Sequence, residues 1–396
     1  MATGTKGGLL GDGDQHAQSV FKHHVLQAYL RMFVAMTGST ARDKRVVVLD
    51  GFAGRGRYDS GQPASAELIL QTIAELKTSR KVTSFFVEKN RADHQVLAGV
   101  IAEYAAVGMD ASALPGKVEE HLEQVVTAAA GVPLFLFLDP CGAGVSFERL
   151  KGLLTGPRQP HKPQTEVLLN FSADLSRRIA GALERGRTDQ QAMDTACGGV
   201  WWREVAEQAR RKAPTGNFEP VVHAIAAEYA RRVGAACRMN AVPIPVYREI
   251  GHQPIYHLVF FTRSPFGLWV FGDAVGQARQ AWFRHLGQQR DTKLAMQGLA
   301  GLWSYGDDMQ QQIDREAKWA MAHVMDNLRR EVSQSGRAGF QLVDRPRQLF
   351  GSAYGIATEQ TITRAARTLE AAGEVEIVAP GHRPRQMRIR KPHSGR

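Results

Sequence analysis

Apolar positions along the 396-residue chain follow two alternating rhythms. Residues 19–36 place Val25, Leu26, Tyr29, Leu30 and Phe33 at three- and four-residue spacing, which predicts an amphipathic helix. Residues 45–50 (RVVVLD) form a short, continuous, β-branched run, the pattern of a strand buried on both faces. A glycine-rich turn follows at once, then a helical stretch over 64–77. The alternation repeats. Residues 82–88 (VTSFFVE) predict a second strand and 90–107 a second helix. A weaker third strand is predicted over 110–114, with a helix over 118–130. Residues 133–139 (PLFLFLD) and 166–171 (EVLLNF) predict two more buried strands. This rhythm predicts an α/β fold built on a doubly wound, mostly parallel sheet.

Beyond that region the pattern changes. From about 176 to 231 it is helical and charged, with Trp201 and Trp202 inside it, and reads as a helical insertion. Two apolar runs, 255–262 (IYHLVFFT) and 267–271 (GLWVF), predict late sheet strands joined by a turn at Ser264-Pro265. A long helical region covers 274–332. The C-terminal part predicts a short helix over 345–353, then a helix with Thr358 as N-cap and Gly373 as its stop. Two short strands, 374–378 and 386–390, flank a basic loop at 380–385. Helix, turn, helix and hairpin is the winged-helix order. The expected organisation is a flexible tail over 1–15, a Rossmann-type domain over 16–275 with its helical insertion, a helical connector over 276–334 and a winged-helix-like segment over 335–391.

Charge sharpens this picture. Fifty Lys and Arg against 39 Asp and Glu leave a formal net charge of +11, which favours a polyanionic partner such as nucleic acid. Cys141, Cys197 and Cys237 are widely spaced, so no Cys-x-x-Cys metal signature exists and a reducing compartment is expected. The glycine-rich N-terminus lacks the apolar core of a signal peptide. No stretch approaches the roughly 18 apolar residues of a membrane span. A cytoplasmic protein with no membrane association is expected.

The candidate chemistry lies at strand ends. Asp50-Gly51-Phe52-Ala53-Gly54-Arg55-Gly56 follows a strand and precedes a helix, at the carboxyl edge of the sheet where open α/β folds bind ligands. Glycine there allows close approach of backbone to a bound molecule. Its G-x-x-G-x-G spacing is not the G-x-G-x-x-G of dinucleotide sites. Glu88, ending the second strand, can accept hydrogen bonds from both hydroxyls of a ribose, which suits any nucleoside-containing ligand. Asp139-Pro140-Cys141-Gly142 reaches the same edge from the fourth strand.

Asp50-x-Phe52-Ala53-Gly54-x-Gly56 resembles the first motif of Rossmann-type methyltransferases, in the form common among those acting on RNA and DNA. The resemblance implies S-adenosyl-L-methionine (SAM) as cofactor. It places Asp50 towards the methionine part, Gly51, Phe52, Ala53, Gly54 and Gly56 beneath it, Glu88 on the ribose and the 116–119 segment near the adenine. Asp139-Pro140 resembles the start of the D/N-P-P-Y/F motif of amino-group methyltransferases. There the Asp side chain and first Pro carbonyl hold the target amino group, and the aromatic stacks a flipped base. Cys141 and Gly142 depart from that motif, so the aromatic would have to be Phe147 or come from another segment.

A wider resemblance joins these pieces. Lys22-x-x-x-Leu26-x-x-Tyr29-Leu30, Leu49-Asp50-Gly51-Phe52-Ala53-Gly54-x-Gly56-x-Tyr58, Phe86-Val87-Glu88, Leu138-Asp139-Pro140-x-Gly142 and Leu169-Asn170-Phe171 are similar to the three-Cys-motif partner (TcmP) family. Tyr256 to Phe260 and Gly267-Leu268 extend the match. That resemblance implies a C-terminal winged-helix-like segment and a radical-SAM-like three-Cys-motif protein as partner. Two functions are expected from it. One is SAM-dependent methylation of nucleic acid, with Asp139 and Pro140 orienting the acceptor. The other is a non-methylating, SAM-fold, nucleic-acid-binding partner of the radical-SAM-like protein.

Overall fold

The first helix, α1 (Ala17–Thr40), leads into β1 (Arg45–Asp50), where every residue from Val46 to Asp50 is buried. A computed structural model describes residues 17–140, 142, 144–159, 162–173, 190–214, 217–299, 304–379 and 384–392. The tail expected over 1–15, Cys141, the start of the insertion (176–189) and the basic-loop residues 380–383 lie outside them. The chain divides into two compact units, one holding Leu30–Arg263 and the other Ser19–Tyr29 with Ser264–Arg396.

In the first unit strands and helices alternate: α2 (Ser65–Ala74), β2 (Lys81–Glu88), α3 (Arg91–Ala106), β3 (Asp110–Pro115), α4 (Val118–Ala128), β4 (Leu134–Leu138), α5 (Phe147–Thr155) and β5 (Thr165–Ser172). Helices α6 (Gln191–Cys197), α7 (Trp201–Lys212) and α8 (Glu219–Cys237) follow, then β6 (Asn240–Val246) and β7 (Tyr256–Thr262). Local chemistry sets several boundaries. Asn90 caps α3 by accepting from the N–H groups of Ala92 and Asp93 at 2.9 and 3.2 Å. Ser146 caps α5 in the same way through Arg149 N–H.

The strands form one seven-stranded sheet in the order β3-β2-β1-β4-β5-β7-β6. β1 to β5 are parallel, and β7 runs antiparallel to both β5 and β6. This is an α/β fold with a mostly parallel sheet flanked by helices. Val47, Leu49, Leu136, Leu169, Val259 and Phe261 on one face pack into a core with Ile225, Tyr229 and Val233 of α8. Val46, Val48, Phe135, Phe137 and Leu168, at alternate positions, are buried as well. Burial on both faces explains the unbroken apolar runs.

At the amino ends of β4 and β5 the buried Arg158 guanidinium replaces apolar packing. It donates to Thr165 Oγ1, Ala129 O and Val132 O at 2.8, 2.8 and 2.9 Å. Arg263 donates to the carbonyls of Arg158, Leu154 and Cys237. Among the described residues neither Arg forms an ion pair. Burial, and then the charge of Arg263, holds the Arg158 pKa below its ordinary value.

The second unit holds α9 (Pro265–Met296), α10 (Tyr305–Gln334), β8 (Phe340–Gln341), α11 (Pro346–Phe350), α12 (Glu359–Ala371), β9 (Glu376–Ala379) and β10 (Arg388–Arg390). Its three strands form a small antiparallel sheet in the order β8-β10-β9. Thr358 caps α12 through Thr361 N–H, and Gly373 follows the helix at φ +71°. The run 267–271, expected as a strand, is the start of α9. Ser264 accepts from Gly267 N–H and Pro265 occupies the first helical turn, so the expected turn residues are a helix N-terminus. The run is unbroken because Gly267 to Gly272 are buried all round.

Candidate functional site

The strand order reverses direction between β1 and β4, where open α/β sheets form a ligand crevice beyond the strand ends. Three segments converge there: the loop after β1, the end of β2 and the segment after β4. Asp50 pairs in register with Phe86 of β2 and Phe137 of β4, which brings Glu88 and Asp139 to the same edge.

Asp50 has no exposed surface. Its Oδ1 accepts from Phe52 N–H at 3.1 Å, and its Oδ2 from Ser65 Oγ at 2.8 Å, the first residue of α2. The carboxylate therefore holds the loop at both ends. Gly51 N–H donates to Phe137 O, Ala53 N–H to Val87 O and Gly56 N–H to Ala53 O. A Cβ on Gly51 would stand 2.8 Å from Leu138 Cδ2 and 2.9 Å from Val118 Cγ2, so only glycine fits between β4 and α4. Gly54 has φ +59°, and the space around its Cβ position is open to 4 Å. Phe52 is half-buried beside the crevice.

Glu88 completes the loop. Its Oε2 accepts from Gly54 N–H at 3.0 Å and its Oε1 from Asn90 N–H at 2.6 Å, while its carbonyl accepts from Gly116 N–H at 3.0 Å. The Glu88 carboxylate thus links the loops after β1 and β2, and its main-chain carbonyl adds the loop after β3. A carboxylate has about four acceptor positions, so two remain beyond these backbone bonds. On its outer side the loop is tied down by Arg57, which bonds Glu67 at 2.6 and 2.7 Å and Glu103 at 2.9 Å. The bonds to Glu67 and then Glu103 raise the Arg57 pKa above its ordinary value. Tyr104 Oη donates to Glu67 at 3.2 Å.

At the end of β4, Asp139 is half-buried and Pro140 buried. Asp139 Oδ1 accepts from Asn170 Nδ2 on β5 at 2.6 Å. Asn170 was not singled out for chemistry by the sequence, though a polar residue inside the apolar run EVLLNF was its signal. Pro140, Gly142, Asn170, Phe171, Met193 and Tyr229 line a small cavity of about 10 Å³. Phe171 and Tyr229 stack with ring centroids 4.7 Å apart. Phe147, the candidate replacement aromatic, is buried in the core instead.

Next to this edge, His257 of β7 pairs in register with Phe171. Its Nε2 meets His223 Nδ1 at 2.9 Å, and His223 Nε2 meets Glu219 Oε1 at 3.3 Å. Burial, and then the charge of His223, lowers the His257 pKa to about 3, so the ring is neutral. Burial pushes the Cys197 thiol up to about 12 and the Cys237 thiol up to about 11, so these two stay protonated at neutral pH. Among the described residues no helix is long and apolar enough to cross a membrane, and no group of three or more His, Cys, Asp or Glu side chains could hold a metal ion. No model of a known protein family matches the chain, and no curated protein matches it.

Proposed function

We propose that this chain is a cytoplasmic, SAM-dependent methyltransferase-like protein that acts on nucleic acid. The observation that carries the reading is the β1 loop at the switch point. Its glycines leave an open face at Gly54, while the amides of residues 51–54 and 56 are already satisfied by the protein.

That detail separates ligand classes. A pyrophosphate or triphosphate site needs free amides and a helix N-terminus directly behind the loop. Here the amides are spent and α2 starts only at Ser65. An antiparallel β7 between β5 and β6 also departs from the 3-2-1-4-5-6 order of dinucleotide-binding sheets. A cofactor with a nucleoside but no phosphate suits the loop, and Glu88 keeps acceptor capacity for two ribose hydroxyls. SAM supplies an activated methyl group when bound. The chain's own part is positioning. Gly51, Phe52, Ala53, Gly54 and Gly56 shape the floor of the crevice under Asp50's control, and Asp139 with the Pro140 carbonyl orients the acceptor.

The net charge of +11 supports a polyanionic substrate. Arg364 and Arg367 lie exposed on α12, and the helix–helix–hairpin order of that unit supports a winged-helix reading in which α12 meets the phosphate backbone. Membership of the three-Cys-motif partner family, with a radical-SAM-like partner, belongs to the same proposal on the motif residues given above. Gly142 favours a second reading. It offers no side chain where an aromatic would stack a base, which suits a SAM-fold, nucleic-acid-binding protein that does not itself methylate.

Calorimetric titration of the full chain with SAM and separately with NAD tests the cofactor. Binding of SAM but not NAD is expected, with weaker SAM binding by Asp50→Ala. No SAM binding by the wild type overturns the proposal. Transfer of tritiated methyl from SAM to cellular RNA and DNA then separates the two readings. Equal transfer by Asp139→Ala would remove Asp139 from the chemistry.

A further inference from the structure

Gly276 lets α9 pass close to the start of α12: a Cβ there would stand 2.6 Å from Ala357 O and 3.0 Å from Thr358 Cγ2. One turn further along α9, Gln280 lines a cavity of about 260 Å³ whose other walls are α10 and α12. All three helices belong to the second unit. Lys318 of α10 and Arg364 of α12 line the cavity with Gln360, while Ala317 and Met321 give it an apolar side. No carboxylate is among the described residues that line it. Other arginines of this unit meet an acid: Arg279, Arg329, Arg345 and Arg390 each form an ion pair with a glutamate. Among the described residues Lys318 and Arg364 form none, and their side chains make no hydrogen bond. Neighbouring carboxylates are already engaged. Glu316 accepts from Arg279 at 2.6 and 2.8 Å, Glu359 from Trp269 Nε1 at 2.5 Å, and Asp273 from Glu359 N–H and Gln277 Nε2 at 2.8 Å. Thr358 Oγ1 takes the Thr361 N–H, so the end of α12 has spent these backbone donors. The positive charge at the cavity is therefore that of two side chains from two helices. Two unmatched cations at one concavity repel each other, and a bound anion removes that cost.

We propose that this cavity binds a phosphate monoester. At neutral pH such a group carries a charge of about −1.5 to −2 and three strong acceptor oxygens. Lys318 and Arg364 match the charge, and their N–H groups, with the amides of Gln280 and Gln360, supply donors for the oxygens. A phosphodiester carries a single charge and would leave one cation unmatched. The volume lies just under the roughly 300–1,000 Å³ of pockets that enclose a whole ligand. It suits a phosphate together with the sugar that bears it, the sugar resting against Ala317 and Met321. Two sources present that group: the phosphorylated end of a polynucleotide, or a free sugar phosphate. The inference does not depend on methyl transfer. Arg367, also exposed on α12, does not line the cavity, so it separates this site from general attraction along the helix.

The probes are one single-stranded oligonucleotide with a 5′-phosphate, a 3′-phosphate or hydroxyl ends, read by fluorescence anisotropy on the full chain, and ribose 5-phosphate, read by calorimetry. Binding of a phosphorylated end at least about fivefold tighter than the hydroxyl form assigns the site to a polynucleotide end. Binding of ribose 5-phosphate without that preference assigns it to a free ester. Whichever is seen, Lys318→Gln and Arg364→Gln should bring the preference within about twofold of none, or abolish ribose 5-phosphate binding, and Arg367→Gln should leave it intact. Ala317→Phe fills the cavity and keeps both charges, so it should have the same effect as removing them. Ala317, Lys318 and Arg364 are exposed, and thermal melts should show all the variants folded. Neither a terminal-phosphate preference nor ribose 5-phosphate binding overturns the inference. So does a preference that survives in Lys318→Gln, Arg364→Gln or Ala317→Phe. Failure of every oligonucleotide to bind overturns the nucleic-acid reading of α12, and ribose 5-phosphate then decides this inference by itself.

Discussion

Glu88→Gln keeps the size of the side chain and removes its charge and one acceptor oxygen. Native Oε2 and Oε1 serve Gly54 N–H at 3.0 Å and Asn90 N–H at 2.6 Å. A glutamine amide has one carbonyl, so one of these N–H groups would face an NH2 group, donor against donor. Asn90 is exposed and water can take over its bond, so the oxygen should stay with Gly54. The fold then loses at most about 1 kcal/mol. The ligand loses more. Hydrogen bonds to a charged group contribute about 1.5–3 kcal/mol against about 0.5–1.5 for neutral pairs, a difference of about 1–1.5 kcal/mol for each ribose hydroxyl. Two hydroxyls give about 2–3 kcal/mol, which raises the Kd for SAM by roughly 30- to 150-fold. Calorimetry on both proteins, beside thermal melts, reads the two effects separately. A variant that keeps its Kd within about threefold of wild type would refute the ribose assignment.

Other perturbations give equally definite outcomes. Arg158→Met strands the carbonyls of Ala129 and Val132, and should cost about 2–5 kcal/mol in urea denaturation; a loss below about 1 kcal/mol would mean water replaces the guanidinium. His257 binds a proton near 6.5 when unfolded but near 3 when native, so its contribution is complete above 6.5 and is lost as the pH falls towards 3. Between pH 7 and pH 5 that loss is about 2 kcal/mol, and His257→Leu should show a pH dependence shallower by that amount. If α12 contacts phosphates, Arg364→Glu with Arg367→Glu should lower the slope of log affinity against log salt by about 2 for a duplex probe. An unchanged slope would place the interface elsewhere.

The strands most plainly legible from the sequence are those buried on both faces, while the weaker pattern over 110–114 is β3, a half-buried edge strand. β1, β2, β4, β5 and β7 are short apolar runs of the kind that a central strand produces. β6 was missed because Pro243 and Pro245 interrupt it. Proline is tolerated there because β6 is an edge strand, paired with β7 on one side alone. The 267–271 run was misread because periodicity cannot tell a buried helix from a buried strand, and the Ser264-Pro265 signal fits a turn as well as a cap. At the candidate site, Asp50, Gly51, Gly54 and Glu88 could be found because each sits at a strand end within a local motif. Asn170 could not be linked to Asp139, because only the register between β4 and β5 brings them together. The same holds for His223 and His257, one on α8 and one on β7.

The self-satisfied β1 loop also bears on dynamics. Asp50, Ser65, Glu88 and Arg57 hold residues 51–64 through bonds that form when the chain folds, so ordering entropy is lost at that step and not when a ligand arrives. The crevice floor is therefore expected to keep its shape when a ligand binds. Association should proceed at an ordinary encounter rate without a slow isomerisation, and protease accessibility of the 51–64 segment should not change when cofactor is added.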